Sequence, residues 1–282
     1  LGRPGGRGSM KRAAAKVVGV LASLSALGYV LLLAALYVGQ ESLIFPGTPL
    51  PADHRFAFDQ PFEEIRVPVD GGSLDALLFR QPDPRGLVFF LHGNRGNLQT
   101  WTTGLDFYRR VNYDLFIFDY RGYGRSTGSN MDERQLDADV RAAWDTIAPR
   151  YRGQPIVVYG RSLGTGLAVR LARAVTPRLL VLVSPYASLV GAGQRQYPFV
   201  PGWLVKYPLR SDETIGEVRS PVLILHGTRD SLIPPSDSQR LRERTRSPVE
   251  LVLVEGAGHS DIQRFPAYLD ALADRLERIA GG

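Results

Sequence analysis

The 282-residue sequence contains no cysteine. That excludes disulfides, a cysteine nucleophile and thiolate-held metals, and it leaves the redox compartment undecided. It also lacks lysine-rich blocks and aromatic–basic ladders. The net charge of +6 is carried by scattered arginines. Such an excess reads as a solvated basic surface, so nucleic-acid binding is not expected, while attraction to anionic lipid stays open. No His/Asp/Glu cluster has metal-ligand spacing, and the Gly-rich loop His92-Gly93-Asn94-Arg95-Gly96-Asn97 lacks the lysine of a phosphate cradle. Neither a metal nor a cofactor is expected. Internal repeats and low-complexity tracts are also missing.

Charge is absent from one long stretch. Val17 to Val38 is mostly Val, Leu and Ala; as a helix its length of roughly 33 Å matches a hydrocarbon core. A cleaved signal peptide has a shorter apolar run and a small-residue cleavage site. A core helix has a polar face, for which only Ser23 and Ser25 are available. A membrane anchor is therefore the preferred reading. Lys11, Arg12 and Lys16 precede the stretch, and no basic residue follows it until Arg55. This asymmetry places the N-terminus in the cytoplasm and the rest on the far side of the bilayer. Leu1 to Ser9 reads as added sequence before a start at Met10. The expected organisation is 1–16 as basic N-terminus, 17–38 as transmembrane helix, 39–61 as an irregular connector and 62–282 as one large domain.

Within that domain, Phe62 to Val69 and Leu74 to Arg80 flank Asp70-Gly71-Gly72-Ser73 as a hairpin. Short apolar strands then alternate with helical stretches. Strands are expected at 87–91, 115–118, 156–159, 179–183, 222–225 and 250–254, and helices at 98–110, 131–148, 166–173, 236–244 and 265–279. This alternation implies a mostly parallel sheet covered on both faces, with ligands at the carboxyl ends of its strands. From Ser184 to Val218 prolines interrupt aromatic residues. That interval is expected to form a small apolar cap over the active site, spanning about 186–217, with Tyr186, Tyr197, Phe199 and Trp203 as candidate substrate contacts.

The chemistry centres on Gly160-Arg161-Ser162-Leu163-Gly164, set between a β-branched strand and a helix. A serine on so tight a turn is forced out of the sheet, and the flanking glycines remove clashing side chains. A serine hydroxyl needs a base, and the base needs an acid to orient it. His54 reads as a surface residue, and His92 and His226 as turn residues after strands. His259, in a loop after the last strand, is the candidate base. Asp230, in the loop after the preceding strand, is the candidate acid, giving the chain order Ser, acid, His. Asp261 is a rival, but its closeness to His259 in sequence suits a cap for the last helix better. The backbone N–H groups of Leu163 and Asn94 are the candidate oxyanion donors.

Taken together, Glu41-Ser-Leu-Ile-Phe-Pro46, His92 to Asn97, Asp119-Tyr-Arg-Gly-Tyr-Gly-Arg-Ser126, Gly160 to Gly164, His226-Gly-Thr-Arg-Asp-Ser-Leu-Ile-Pro-Pro235 and Gly258-His259 resemble the α/β-hydrolase fold. Within it they resemble the membrane-anchored hydrolases related to bud-emergence proteins and the α/β-hydrolase-domain depalmitoylases. The resemblance implies a Ser162–Asp230–His259 triad with Asn94 and Leu163 at the oxyanion hole, and Asp119 to Ser126 as a structural turn. Arg95 departs from the small residue usual in that loop; it could meet an acidic headgroup or point to solvent. The implied activity is hydrolysis of carboxylic esters or thioesters, with acyl-chain substrates such as monoacylglycerols favoured. Acyl-protein thioesterase or peptidase activity is the alternative within the fold. A non-catalytic, membrane-tethered binding protein is a more distant reading, disfavoured by the intact triad.

Overall fold

A computed structural model describes residues 6–130 and 132–281 of the chain. The described residues divide into two compact units, the first ending at Leu43 and the second beginning at Ile44. Residues 1–5 of the segment read as added sequence lie outside the described residues. So does Met131, at the expected start of an amphipathic helix.

The first unit is helical. Helix α1 runs Gly6–Ile44, longer at both ends than the 17–38 span. No proline lies between Gly6 and Pro46, and the residue before a proline disfavours helical backbone. From Met10 to Ile44 the helix is long and apolar enough to cross a membrane, and Val17, Leu21, Leu24, Leu31 and Val38 are all exposed. A helix apolar around its whole circumference suits lipid or a protein core.

The second unit is an eight-stranded sheet of order β1-β2-β4-β3-β5-β6-β7-β8. The strands are β1 (Phe62–Val69), β2 (Gly72–Phe79), β3 (Leu87–Leu91), β4 (Asp114–Phe118), β5 (Ile156–Arg161), β6 (Leu179–Val183), β7 (Val222–Gly227) and β8 (Val249–Val254). β2 is antiparallel to β1 and β4, and every other pair is parallel. Strands β3, β4 and β6 are buried along their whole length, as a parallel sheet covered on both faces requires. Gly71 at φ 68° supplies the left-handed residue of the β1–β2 turn.

Alternate residues of each strand feed two cores. Leu87, Phe89 and Leu91 pack with α4 (Glu133–Ile147) and α5 (Leu163–Val175). Val88 and Phe90 pack on the other face with α2 (Leu98–Trp101), α3 (Leu105–Val111) and α9 (Pro266–Ala280). The stretch 98–110, expected as one helix, is therefore two. Gly104 at φ 87° breaks it, and Thr102 turns its hydroxyl back onto the Leu98 carbonyl. α8 (Pro235–Arg244) follows β7.

The connector is docked, with bridges at Gly47–Gly96 and Pro49–Gly124. Between β6 and β7 lie α6 (Leu189–Gln196) and α7 (Ser211–Thr214), with one-turn 3-10 segments. Tyr186 and Tyr207 are buried there, whereas Tyr197, Phe199 and Trp203 are exposed.

Candidate active site

β5 ends at Arg161 and α5 begins at Leu163, so Ser162 alone makes the turn, at φ 50° and ψ −118°. A non-glycine residue held there is strained by about 1–3 kcal/mol, and such strain collects at functional positions. The surroundings enforce it. The Ser162 N–H donates to the Val183 carbonyl (3.0 Å), and the Ser162 carbonyl accepts from the Thr165 N–H (2.9 Å) and hydroxyl (2.6 Å). A Cβ on Gly164 would lie 2.1 Å from the Leu91 carbonyl oxygen, and one on Gly160 would lie 2.6 Å from the Gly164 carbonyl oxygen. Both glycines of the motif are thus required by close backbone approach.

The structure brings the three sequence-derived side chains together at the carboxyl edge of the sheet. His259 Nε2 lies 2.9 Å from Ser162 Oγ, and His259 Nδ1 lies 2.8 Å from Asp230 Oδ2. With Nδ1–H donated to the carboxylate, Nε2 is free to accept the serine proton. Asp230 Oδ1 accepts from the Leu232 (3.0 Å) and Ile233 (2.8 Å) N–H groups. Burial favours the neutral carboxyl, but hydrogen bonds from His226, His259 and the Ile233 N–H outweigh it and hold the carboxyl well below the usual carboxylate range. Asp261 does not cap the last helix. Its Oδ1 accepts from the Gly258 N–H (2.7 Å) and closes the loop that carries His259.

The shift on Asp230 predicts a pH effect. An unfolded aspartate titrates near ~3.9, and the folded value lies below it. The charged form therefore adds stability that is complete above the unfolded value and is lost as pH falls through the folded one. Asp230→Asn is expected to melt below wild type at neutral pH, with the gap narrowing below about pH 4; a gap that widens on acidification would contradict the assignment.

His226 reads in sequence as a turn residue, but it is wholly buried and supports the acid. Its Nε2 faces two acceptors, the Ile233 carbonyl (2.9 Å) and Asp230 Oδ2 (3.3 Å), so it carries the proton; Nδ1 then accepts from Ser238 Oγ (2.6 Å). His92 also acts within the site. Its Nδ1–H donates to the Gly93 carbonyl (2.7 Å). Across a trans peptide this turns the Asn94 N–H the opposite way. The Asn94 and His92 carbonyls accept from the Tyr123 (2.7 Å) and Tyr120 (2.9 Å) hydroxyls. These bonds fix the loop peptide by peptide. A Cβ on Gly93 would lie 3.6 Å from Ser162 Cβ, so the loop abuts the nucleophile. Leu163 is the first residue of α5, and its N–H has no intrahelical acceptor. The Asp119 carboxylate accepts from the Leu98 N–H (3.2 Å) beneath the loop. Burial pushes the Asp119 carboxyl up, against the opposing effects of His92 and the Leu98 N–H.

Ser162 and His259 open into a cleft of about 1000 Å³. Phe90, Trp101, Phe107 and Leu269 line it, together with Asn94, Arg95 and Arg161. The expected cap residues Tyr186, Tyr197, Phe199 and Trp203 do not line this cleft. Tyr186 is sequestered beneath α5, its hydroxyl donating to the Leu163 carbonyl (3.0 Å), and the other three face outward. The wall comes instead from α2, α3 and the His259 loop, because the Gly104 break lets α3 swing the ring of Phe107 to the cleft. Sequence reading missed Trp101 and Arg161 as well. Among the described residues, no group of three or more His, Asp or Glu is placed to hold a metal ion.

Comparison with known proteins agrees with the fold. A family model described as "Serine aminopeptidase, S33" matches residues 82–206. The α/β-hydrolase domain-containing protein 17B of Homo sapiens is 36% identical over 197 residues, covering 68% of this chain and 66% of its own. Protein 17C of Xenopus laevis is 36% identical over 217 residues, covering 74% and 68%. The chain thus spans about two thirds of the length of these relatives. Among solved structures, a Pyrococcus furiosus esterase superposes with a TM-score of 0.65 at 22% identity, covering 81% of this chain and 98% of its own.

Proposed function

The chain belongs to the α/β-hydrolase family of the domain-containing proteins 17B and 17C, and from that membership we propose that it is a membrane-anchored serine hydrolase of acyl esters or thioesters. The observation that carries this reading is the aligned relay from Ser162 Oγ through His259 to Asp230, opening into a cleft with aromatic walls.

In the reaction, Ser162 Oγ attacks the acyl carbonyl carbon while His259 Nε2 takes its proton. The oxyanion is met by the Leu163 and Asn94 N–H groups. Collapse breaks the bond to the leaving oxygen or sulfur, which receives the proton from His259. Water then attacks the acyl-serine with His259 as base, releasing the acid and restoring Ser162. Asp230 stays ionised throughout and stabilises the imidazolium.

Helix α1 supports delivery of the substrate from a bilayer, and the basic residues before it support a cytoplasmic N-terminus with the catalytic domain on the far side. The apolar walls at Phe90, Trp101, Phe107 and Leu269 suit an acyl chain, as in a monoacylglycerol. The kinship with proteins 17B and 17C favours the acyl-protein thioester reading beside it. An aminopeptidase reading is less well supported. A free substrate amine needs a carboxylate, and the one acidic side chain among the described cleft residues, Asp106, is paired with Arg109 at 2.6 Å.

A membrane-impermeant fluorophosphonate applied to intact spheroplasts tests the activity and its location together. Labelling of the full-length chain without lysis, and none with Ser162→Ala, is the expected result. Labelling only after lysis would overturn the orientation, and no labelling in either case would overturn the nucleophile.

A further inference from the structure

Arg161, between the first glycine and the serine of the turn, is only 8% exposed, yet its side chain reaches the cleft that holds Ser162 and His259. A buried guanidinium normally has a carboxylate partner, because an unpaired buried charge is costly. Arg161 has none among the described residues. One of its N–H groups donates to the His259 carbonyl (3.1 Å), and its guanidinium lies 5.7 Å from the centre of the Trp101 ring. Its other N–H donors have no acceptor among the described residues. The nearby hydroxyls of Tyr159 and Tyr268 are bonded to each other at 2.7 Å and provide no charge to offset it.

The rest of the cleft carries the same sign. Arg95, Arg109 and Arg110 line it with Arg161, against the single carboxylate of Asp106, which Arg109 already engages. The excess of arginine over carboxylate in its lining favours entry of an anionic substrate. We propose that Arg161 is an anion-binding specificity residue, and that the preferred substrate is an ester or thioester carrying its own carboxylate or phosphate close to the scissile bond. The proposal rests on the serine hydrolase reading above and names its substrate class. A planar guanidinium with open donors suits bidentate capture of either oxyanion group. Arg161 donates to the backbone of the catalytic histidine and lines the same cleft as Ser162, so an anion on its open donors shares that cleft with the reacting groups.

The test uses three pairs of substrates, each an anionic ester with its neutral counterpart. One pair places the charge on the acyl side: the p-nitrophenyl ester of adipic acid against that of its monoamide. A second places it on the leaving side: 4-butyryloxybenzoate against 4-butyryloxybenzamide. A third pair, 2-decanoyloxyethyl phosphate against 2-decanoyloxyethanol, carries a phosphate on the leaving side and, set beside 4-butyryloxybenzoate, separates phosphate from carboxylate preference. The full-length wild type is expected to prefer the anionic member of at least one pair by about 10-fold in kcat/KM, mainly through KM. Arg161→Gln is expected to bring the anionic-to-neutral ratio of kcat/KM close to one, with any loss common to both members read separately as the cost of the bond to the His259 carbonyl. Arg161→Lys should retain part of it and decides the matter if the glutamine variant folds poorly. Equal preference for charged and neutral members in the wild type would overturn the proposal. So would equal losses on both members in the variants, which would mark Arg161 as a support for the His259 loop. Failure of the hydrolase reading looks different, because no ester would then be turned over and Ser162 would not be labelled.

Discussion

Ser162→Ala is expected to lower ester turnover by at least about 10⁴-fold while leaving the fold intact. Removal of a nucleophile from a serine relay costs up to about 10⁶-fold in kcat, and residual catalysis of 10³–10⁴ over water survives from binding and the oxyanion donors. Among the described residues the serine hydroxyl makes no hydrogen bond besides its donation to His259 Nε2, so its loss should not unfold the domain. Backbone strain sharpens the prediction. At φ 50° alanine is no more comfortable than serine, but glycine is. Ser162→Gly should therefore be as inactive as the alanine variant and should melt above it, by an amount on the order of 1 kcal/mol. Kinetics with p-nitrophenyl butyrate and thermal melts of the three proteins check both halves. Residual activity within tenfold of wild type would remove Ser162 from the mechanism.

The second large effect is structural. Gly164→Ala is expected to cost more than about 4 kcal/mol and to leave little folded protein. Its Cβ would lie 2.1 Å from the Leu91 carbonyl oxygen and 2.7 Å from that of His92. Those atoms are backbone at the end of β3, which is paired on both sides by β4 and β5, so nothing can yield. The same substitution at Gly193 is the internal control. That glycine lies within α6, with nothing within 4 Å of the added methyl, and alanine there should stabilise by about 0.5–1 kcal/mol. Circular-dichroism melts of both variants distinguish the cases. A Gly164→Ala protein that melts like wild type would show that the turn relaxes in a way the close approach of β3 does not allow.

The contrast between these glycines shows how far sequence can be read. Gly164 was legible because it stands in a motif between a strand pattern and a helix pattern. Its actual constraint, the carbonyl of β3, is more than 70 positions away. The alternation of strands and helices and the hairpin at Gly71 followed from local periodicity and turn chemistry. The division of 98–110 into α2 and α3 did not, since a single glycine is compatible with a continuing helix until packing decides. The cap expectation failed for a similar reason. Aromatic residues at 197–203 indicate a surface, but the direction they face depends on how α6 and α7 seat on the sheet.

What the sequence by itself determined is the fold class, the apolar helix and the order of serine, acid and histidine, because these depend on residue type and spacing along one chain. What only the tertiary structure decided is which side chains meet the reacting atoms. His92 and His226 look like turn residues in sequence, yet folding directs His92 to orient the loop beside Ser162 and His226 to support Asp230. Arg161 reads as the variable position of a motif. Only the packing of β5 against the His259 loop makes it a buried cation with no carboxylate partner among the described residues, because the cost of burying a charge depends on its neighbours in space.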